Sequence, residues 1–181
     1  MKLNAKEILK PALTLFIICL AVTALLAGTN LLTRDRIEEQ SRIAAENARR
    51  VVLAEATDFE ERDGYYIGSA TGGILGYVFE TESKGYGGTV RVMTGIDANG
   101  SITGVVILEH EETPGLGANA EKASFTDQYK QPAGGGITLI KNRTPGDGEV
   151  QALTGASITS NAVTTAVNAA IDQYNTVKGG A

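Results

Sequence analysis

The sequence is poor in the residues that build metal centres and covalent cross-links. Its 181 residues include one Cys and one His. These numbers exclude an internal disulfide, and they exclude zinc and iron–sulfur centres built from Cys and His ligands of this chain alone. The four Pro residues and 22 Gly residues follow no G-x-y repeat, which excludes collagen and indicates many tight turns.

A surplus of positive charge is also missing. The chain has 16 basic and 21 acidic residues, a net charge of −5 at pH 7. Without a basic surplus to neutralise phosphates, a nucleic-acid partner is excluded. The hydrophobic fraction of 43% is sufficient for a packed core. The length is that of one ordinary domain, for which about 100–200 residues is typical.

The first feature that is present is an uncharged apolar run over residues 11–33. A helix that rises ~1.5 Å per residue needs roughly 20 residues to cross a hydrocarbon core ~30 Å thick, so this run predicts a transmembrane helix. A cleaved signal peptide is the alternative, with small residues at Ala27 and Gly28. The run is longer than the roughly 7–15 apolar residues of a secretory signal.

The charges on either side of the run predict its orientation. Residues 1–10 carry Lys2, Lys6 and Lys10 against the single Glu7, whereas the basic residues after the run are interleaved with acidic ones. The excess of Lys before the span favours a cytoplasmic amino terminus. Everything from residue 34 onward is then expected outside the cytoplasmic membrane.

The rest of the chain predicts a helical stalk followed by one extracytoplasmic domain. Residues 34–56 lack Gly and Pro and mix charges with apolar positions, which is typical of an amphipathic helix. The domain over 57–181 is predicted to be α+β, a small and largely antiparallel sheet packed with helices. Its predicted elements are a charged turn at 58–64, strands at 76–83, 89–97, 102–112 and 136–142, a short helix at 118–130, and a final helix that starts after residue 161.

A cluster of hydroxyl groups precedes the final helix. The segment TGASITS holds four of them within seven residues, around a small Gly-Ala pair. Since the first N–H groups of a helix are unpaired and its dipole is positive there, this segment is a candidate anion seat. The alternative is plain capping of the helix by Ser157, Thr159 or Ser160.

A second candidate region, Glu109–Gly117, reads EHEETPGLG after an apolar strand. The T-P-G-L-G turn is rigid, and its glycines allow a flat ligand to approach the backbone. One His among adjacent carboxylates lacks the spacing of metal ligands, so we expect no metal here and interpret the acidic residues as a solvated strand end.

These segments together resemble the FMN-binding domain found in the G subunit of the Rnf electron-transport complex and in the C subunit of the sodium-pumping NADH:quinone oxidoreductase. The resemblance includes the single amino-terminal span and covers nearly the whole chain. The length, with little added outside the core domain, favours the Rnf type. The segments that carry the resemblance read TGASITSNAV, HEETPGLG and GYGGTVRVMTGID…GSITGVVIL.

The resemblance implies that FMN is attached to Ser157 through a phosphoester. Thr154, Gly155 and Ala156 then form the lead-in, and Ile158 and Thr159 complete the cofactor-binding segment. Most relatives have Thr at the attachment position, so Ser157 is a departure that still offers a hydroxyl. A second departure is Gln151, where many members have Asp; Asp147 is a candidate to replace that acid.

The resemblance also identifies the turn Thr113–Gly117 as a flavin-contacting loop. Thr113 is expected to hydrogen-bond the edge of the isoalloxazine ring, and Leu116 is expected to pack on its face, with Gly117 closing the turn. From the residues alone, Lys141 is a further candidate, because a cation near the ring would stabilise reduced, anionic flavin. The alternative for Lys141 is an ordinary solvated side chain.

The function implied is a membrane-anchored electron carrier within an ion-translocating ferredoxin:NAD oxidoreductase. Its partners would be the other Rnf membrane proteins and a flavin transferase that uses FAD and a divalent cation. The chain alone is not expected to catalyse the reaction. The alternatives are a membrane-anchored scaffold module without redox chemistry and the equivalent component of the quinone reductase; a Ser157 hydrolase is disfavoured because a G-x-S-x-G elbow is absent.

Overall fold

The computed structural model describes residues 5–179 and divides into two compact units between Ile43 and Ala44. Helix α1 runs from Ala5 to Val52. Its side chains from Leu9 to Leu32 are exposed. An 18-residue window of this helix has a mean hydropathy of 2.3, and α1 is the one helix among the described residues that is long and apolar enough to cross a membrane.

The second unit is built on a five-stranded antiparallel meander. Each strand pairs with the next one along the chain, and two further short strands form a separate parallel pair. This arrangement confirms the predicted α+β class with a largely antiparallel sheet. The strands and the last helix are β1 Asp58–Arg62, β2 Tyr65–Ala70, β3 Gly73–Lys84, β4 Thr89–Asp97, β5 Ile102–Glu109, β6 Thr138–Ile140, β7 Glu149–Gln151 and α3 Ser157–Gly179.

Both faces of the sheet carry buried side chains. Because successive side chains of a strand point to opposite faces, neighbouring residues enter different cores. Phe79 packs into a large core with α3, whereas its neighbour Val78 packs into a second, smaller core. The apolar stripe of α3 follows helical spacing and is buried; its residues are Val163, Ala166, Val167, Ala170, Ile171 and Tyr174.

The second core contains the last turns of α1. Ala48, Val52 and Leu53 are buried there against Val78 and Met93 of the sheet. The compact unit therefore begins at Ala44 and not at residue 57, where the sequence analysis placed the start of the domain. The last part of the segment expected to be a stalk supplies core side chains instead.

The segment 58–64, expected to be a charged turn, forms the first strand and the turn of a hairpin. Asp63 and Gly64 have positive φ angles of 37° and 88° and connect β1 to β2. Asp-Gly is a favoured pair for such a two-residue turn, and the strands continue to either side of it. In the turn between β4 and β5, the Asp97 carboxylate accepts hydrogen bonds from the N–H groups of Asn99 and Ser101, both 2.8 Å long.

Two further segments differ from expectation. Helix α3 starts at Ser157, several residues before the predicted start. The predicted helix over 118–130 is split into three short pieces, of which the middle one, α2, spans Ala123–Thr126 and the flanking pieces are 3₁₀ turns.

Candidate functional site

An open cavity of about 540 Å³ lies at the amino-terminal end of α3. Its volume is within the 300–1,000 Å³ that is usual for small-molecule sites. Its walls come from three separate segments: the turn between β3 and β4, the segment after β5, and the start of α3. The wall residues are Tyr86, Glu112, Thr113, Leu116, Gly117, Gly155, Ala156, Ser157, Ile158 and Thr159.

The cavity brings together the two segments that the sequence analysis singled out. A Cβ atom built on Gly155 would lie 3.3 Å from Leu116 Cδ2, so the TPGLG turn and the TGAS turn are in direct contact. Gly155 has a φ of 77°, a conformation that disfavours any side chain. Of the predicted cofactor-binding residues, Thr154 and Lys141 do not line the described cavity walls; both are exposed.

The four hydroxyl groups of the TGASITS segment have different surroundings. Ser160 accepts a hydrogen bond from the Leu153 N–H and donates one to the Ala156 carbonyl, both 2.9 Å long. Thr159 is buried and donates to a Glu112 oxygen at 2.5 Å. Within residues 5–179, Thr154 and Ser157 have no hydrogen-bond partner for their hydroxyls, and of these two only Ser157 lines the cavity.

This distribution bears on the capping alternative. A capping hydroxyl accepts a hydrogen bond from an N–H group in the first turn of its helix. In the described part of the chain, the side chains of Ser157, Thr159 and Ser160 form no such bond. The first N–H groups of α3, which have no partner within the helix, therefore lie beside a half-buried and unengaged Ser157 hydroxyl.

Glu112 corrects the interpretation of the acidic segment. The segment was expected to be a solvated strand end, yet Glu112 is only 6% exposed and is the one carboxylate in the cavity walls described. Its Oε1 accepts hydrogen bonds from the Tyr86 and Gly87 N–H groups at 2.8 and 3.1 Å. Burial by itself raises the pKa of Glu112, but the hydrogen bonds from Thr159, Gly87 and Tyr86 outweigh it, so the pKa lies below its usual value.

Tyr86 is a second wall residue that the sequence analysis did not identify. It belongs to the GYGG segment that carries part of the family resemblance, but no role was assigned to its ring. The Tyr86 side chain is 72% exposed although its backbone N–H is bonded to the buried Glu112. Leu116 and Ile158, exposed by 48% and 55%, also line the cavity, so apolar surface surrounds its opening.

These features fit a ligand with a flat apolar body and an anionic end. The side chains of Tyr86, Leu116 and Ile158 offer apolar surface to a ring system. The start of the 23-residue helix α3 offers unpaired N–H groups and a positive dipole to a phosphate, directly beside the Ser157 hydroxyl. FMN has both parts, so the residues present fit this cofactor.

Comparison with known families agrees with this site. Residues 85–172 match the FMN-binding domain family, a range that contains every wall residue of the cavity. Residues 1–52 match the RnfG N-terminal region. This second match ends at Val52, the last residue of α1.

Several curated proteins are similar over most of their length. The G subunit of the Na(+)-translocating ferredoxin:NAD(+) oxidoreductase complex of Acetobacterium woodii is 37% identical, over 96% of this chain and 94% of that protein. The G subunit of the ion-translocating oxidoreductase complex of Methanosarcina acetivorans is 33% identical, over 97% and 99% of the two chains. The G subunit of the proton-translocating complex of Clostridium ljungdahlii is 38% identical over 72% of each chain.

Solved structures share the fold. NqrC from Shewanella oneidensis superposes with a TM-score of 0.52 at 22% identity, over 66% of this chain and 65% of that one. The C subunit of the Na(+)-translocating NADH-quinone reductase from Parabacteroides distasonis has a TM-score of 0.51 at 22% identity, over 61% and 59% of the two chains.

Proposed function

Because the chain belongs to the family of G subunits of ion-translocating ferredoxin:NAD(+) oxidoreductase complexes, we propose that it is the electron-transfer subunit of such a complex and carries FMN covalently on Ser157. The G subunits of Acetobacterium woodii and Methanosarcina acetivorans match over 96% and 97% of the chain, whereas the quinone-reductase proteins resemble its fold at 22% identity. The relatives therefore favour the Rnf type of complex over the quinone-reductase type.

One observation carries the proposal of covalent attachment. Among the hydroxyls of the TGASITS segment, Ser157 combines a position in the cavity wall with a hydroxyl that no other described residue engages. The competing hydroxyls of Thr159 and Ser160 are buried and hydrogen-bonded. A phosphate on Ser157 would lie at the amino terminus of α3, where the helix dipole stabilises negative charge.

Attachment requires a balanced transfer reaction. In our proposal, Ser157 Oγ attacks the FMN phosphorus of FAD, the bond to the AMP phosphate breaks, AMP leaves and the serine proton is released. A separate flavin transferase with a divalent cation would catalyse this step. Gln151 and Asp147 lie outside the cavity walls described, so we assign them no part in it.

The protein's own residues would hold the cofactor and shape its surroundings. Leu116, Ile158 and Tyr86 would cover the ring, and Thr113 at the cavity wall would reach its edge. Bound FMN would supply the electron-transfer chemistry that amino-acid side chains lack. Lys141 is outside the walls, so its proposed influence on the ring would act only over a longer distance.

The apolar part of α1 would anchor the protein in the cytoplasmic membrane beside its partners in the complex. The matching RnfG N-terminal region and the hydropathy of this helix support an anchor. The Lys residues that precede the span support a cytoplasmic amino terminus and an extracytoplasmic flavin domain.

The test is the intact mass of the full-length protein, co-expressed with a flavin transferase. We expect a yellow protein that is fluorescent in denaturing gels and heavier than its polypeptide by one FMN less one water. Ser157→Ala should lose this added mass, whereas Ser157→Thr should retain it. Thr165→Ala is the matched control, since it removes an exposed hydroxyl of α3 outside the cavity walls and should be flavinylated like the parent. Retention of the adduct in Ser157→Ala would refute the assignment.

A further inference from the structure

The Glu112 carboxylate occupies a narrow slot between two glycines. A Cβ atom on Gly85 would collide with Glu112 Oε1, and one on Gly117 would lie 2.5 Å from Oε2. Side chains at either position would therefore displace the carboxylate. The backbone on both sides is shaped to accept this one acidic group at the floor of the cavity.

The same carboxylate is bonded to segments that are distant in sequence. Oε1 accepts from the N–H groups of Tyr86 and Gly87, in the turn between β3 and β4. Oε2 accepts from the Thr159 hydroxyl, in the first turn of α3 and two residues after Ser157. Glu112 itself directly precedes the Thr113–Gly117 turn. One buried group thus joins all three segments that form the cavity walls.

Hydrogen bonds to an ionised carboxylate are shorter and stronger than those between neutral groups. Removing the acceptor would leave two backbone N–H groups and one hydroxyl without a partner. The neighbouring His110 adds to this arrangement, because its Nδ1 accepts the backbone N–H of Glu112 at 3.1 Å and its Nε2 lies 3.1 Å from a Glu121 oxygen. The position of Glu112 is therefore fixed from both its backbone and its side chain.

We propose that Glu112 is a positioning residue of the flavin site, which holds the Tyr86 turn and the Ser157 turn at a fixed separation so that the attached flavin is held rigidly between them. This inference rests on the proposed function, since it assumes a flavin on Ser157. Glu112 itself does not contact the reacting atoms in this proposal. It acts on the position of the flavin through the Tyr86 backbone and the Thr159 hydroxyl.

The test uses the full-length protein co-expressed with a flavin transferase, and it measures the visible circular dichroism and the emission anisotropy of the bound flavin. An isoalloxazine ring is achiral, so its circular dichroism reports a fixed asymmetric environment, and anisotropy reports local ring motion. We expect Glu112→Ala to lose the dichroism and to lower the anisotropy towards that of a mobile tethered flavin. Thr159→Val, which removes one of the three bonds, should give an intermediate loss.

Two variants serve as controls. Glu112→Gln should keep both signals, because its amide oxygen can accept from the two N–H groups and its amide N–H can donate to the Thr159 oxygen. Glu111→Ala removes the adjacent, exposed carboxylate and should match the parent.

Flavinylated Glu112→Ala and Thr159→Val proteins with the parent's dichroism and anisotropy would overturn the positioning role. If Glu112→Ala fails to fold by far-ultraviolet dichroism, Thr159→Val decides alone. A parent that carries no flavin refutes the proposed function and this inference together, whereas a flavinylated parent with unchanged variants refutes only the inference.

Discussion

Val52, the last residue of α1, lies directly against Gly95 of β4. A Cβ atom on Gly95 would collide with the Val52 carbonyl oxygen, and one on Gly104, the β5 residue paired with Gly95, would lie 3.0 Å from Val52 Cα. The Thr103 hydroxyl donates a hydrogen bond to the same carbonyl. Two paired glycines thus form a flat site on the sheet where the helix end makes backbone contact.

Shortening Val52 should therefore destabilise the domain, although this residue belongs to the segment that the sequence identified as a stalk. Val52 is fully buried, and Val52→Ala should lower the free energy of unfolding by about 2 kcal/mol through lost burial and the cavity left behind. Val51→Ala is the control, because Val51 is 65% exposed and should change stability by less than about 0.5 kcal/mol. Equal shifts in thermal unfolding of the two variants would contradict this packing.

A methyl group at Gly117 should disturb the floor of the cavity. It would lie 2.5 Å from Glu112 Oε2 and 2.6 Å from Thr159 Oγ1, so Gly117→Ala should cost about 1–3 kcal/mol of stability. Gly134→Ala is the matched control, since a Cβ atom there meets nothing within 4 Å. Chemical denaturation of both variants measures the difference in their stability. A denaturation midpoint of Gly117→Ala equal to that of the parent would show that the space around Glu112 accommodates a methyl group.

The lowered pKa of Glu112 makes stability depend on pH in a defined direction. A carboxyl group with a lower pKa in the folded state stabilises the protein above its usual pKa, and this contribution is lost as the pH falls through the folded-state value. The parent should therefore lose stability relative to Glu112→Gln as the pH falls below the usual pKa of a glutamate. Thermal unfolding of both proteins over a pH series tests this prediction. A difference between their unfolding temperatures that stays constant across the series would contradict it.

Removing the hydroxyl of Thr94 should raise the stability of the domain, whereas the Val52 and Gly117 substitutions should lower it. This hydroxyl is fully buried and has no hydrogen-bond partner in the described structure, so Thr94→Val should stabilise the domain by about 1 kcal/mol. Thr81 is the contrasting control: it is buried on β3, and its hydroxyl donates to the Ala166 carbonyl at 2.8 Å. Thr81→Val should destabilise the domain by a similar amount, and two shifts of the same sign would refute the assignment of these hydroxyls.

The elements with strong local patterns were predictable from the sequence. The apolar stripe from Val163 to Tyr174 follows helical spacing, and the strands β3, β4 and β5 are rich in β-branched and aromatic residues. The β1–β2 hairpin was missed even though Asp63-Gly64 is a strong turn signal, because the acidic residues around it were interpreted as a solvated turn.

The candidate site was predictable only in part, for a different physical reason. The assignment of the TPGLG and TGAS turns to one flavin site followed from a family resemblance, not from a local pattern. The role of Glu112 depends on partners that are 25, 26 and 47 residues away in sequence. Such long-range hydrogen bonds leave no periodic pattern in the sequence. A buried carboxylate in an acidic run therefore cannot be distinguished by sequence from its solvated neighbours.

The unengaged Ser157 hydroxyl has a consequence for how the protein matures. The hydroxyls of Thr159 and Ser160 are engaged in internal hydrogen bonds, whereas that of Ser157 forms no hydrogen bond with any described residue. Under the proposed function, the polypeptide would reach its final shape first and receive its cofactor afterwards. Cofactor loading would then be a separate event, timed by the supply of the transferase and its nucleotide.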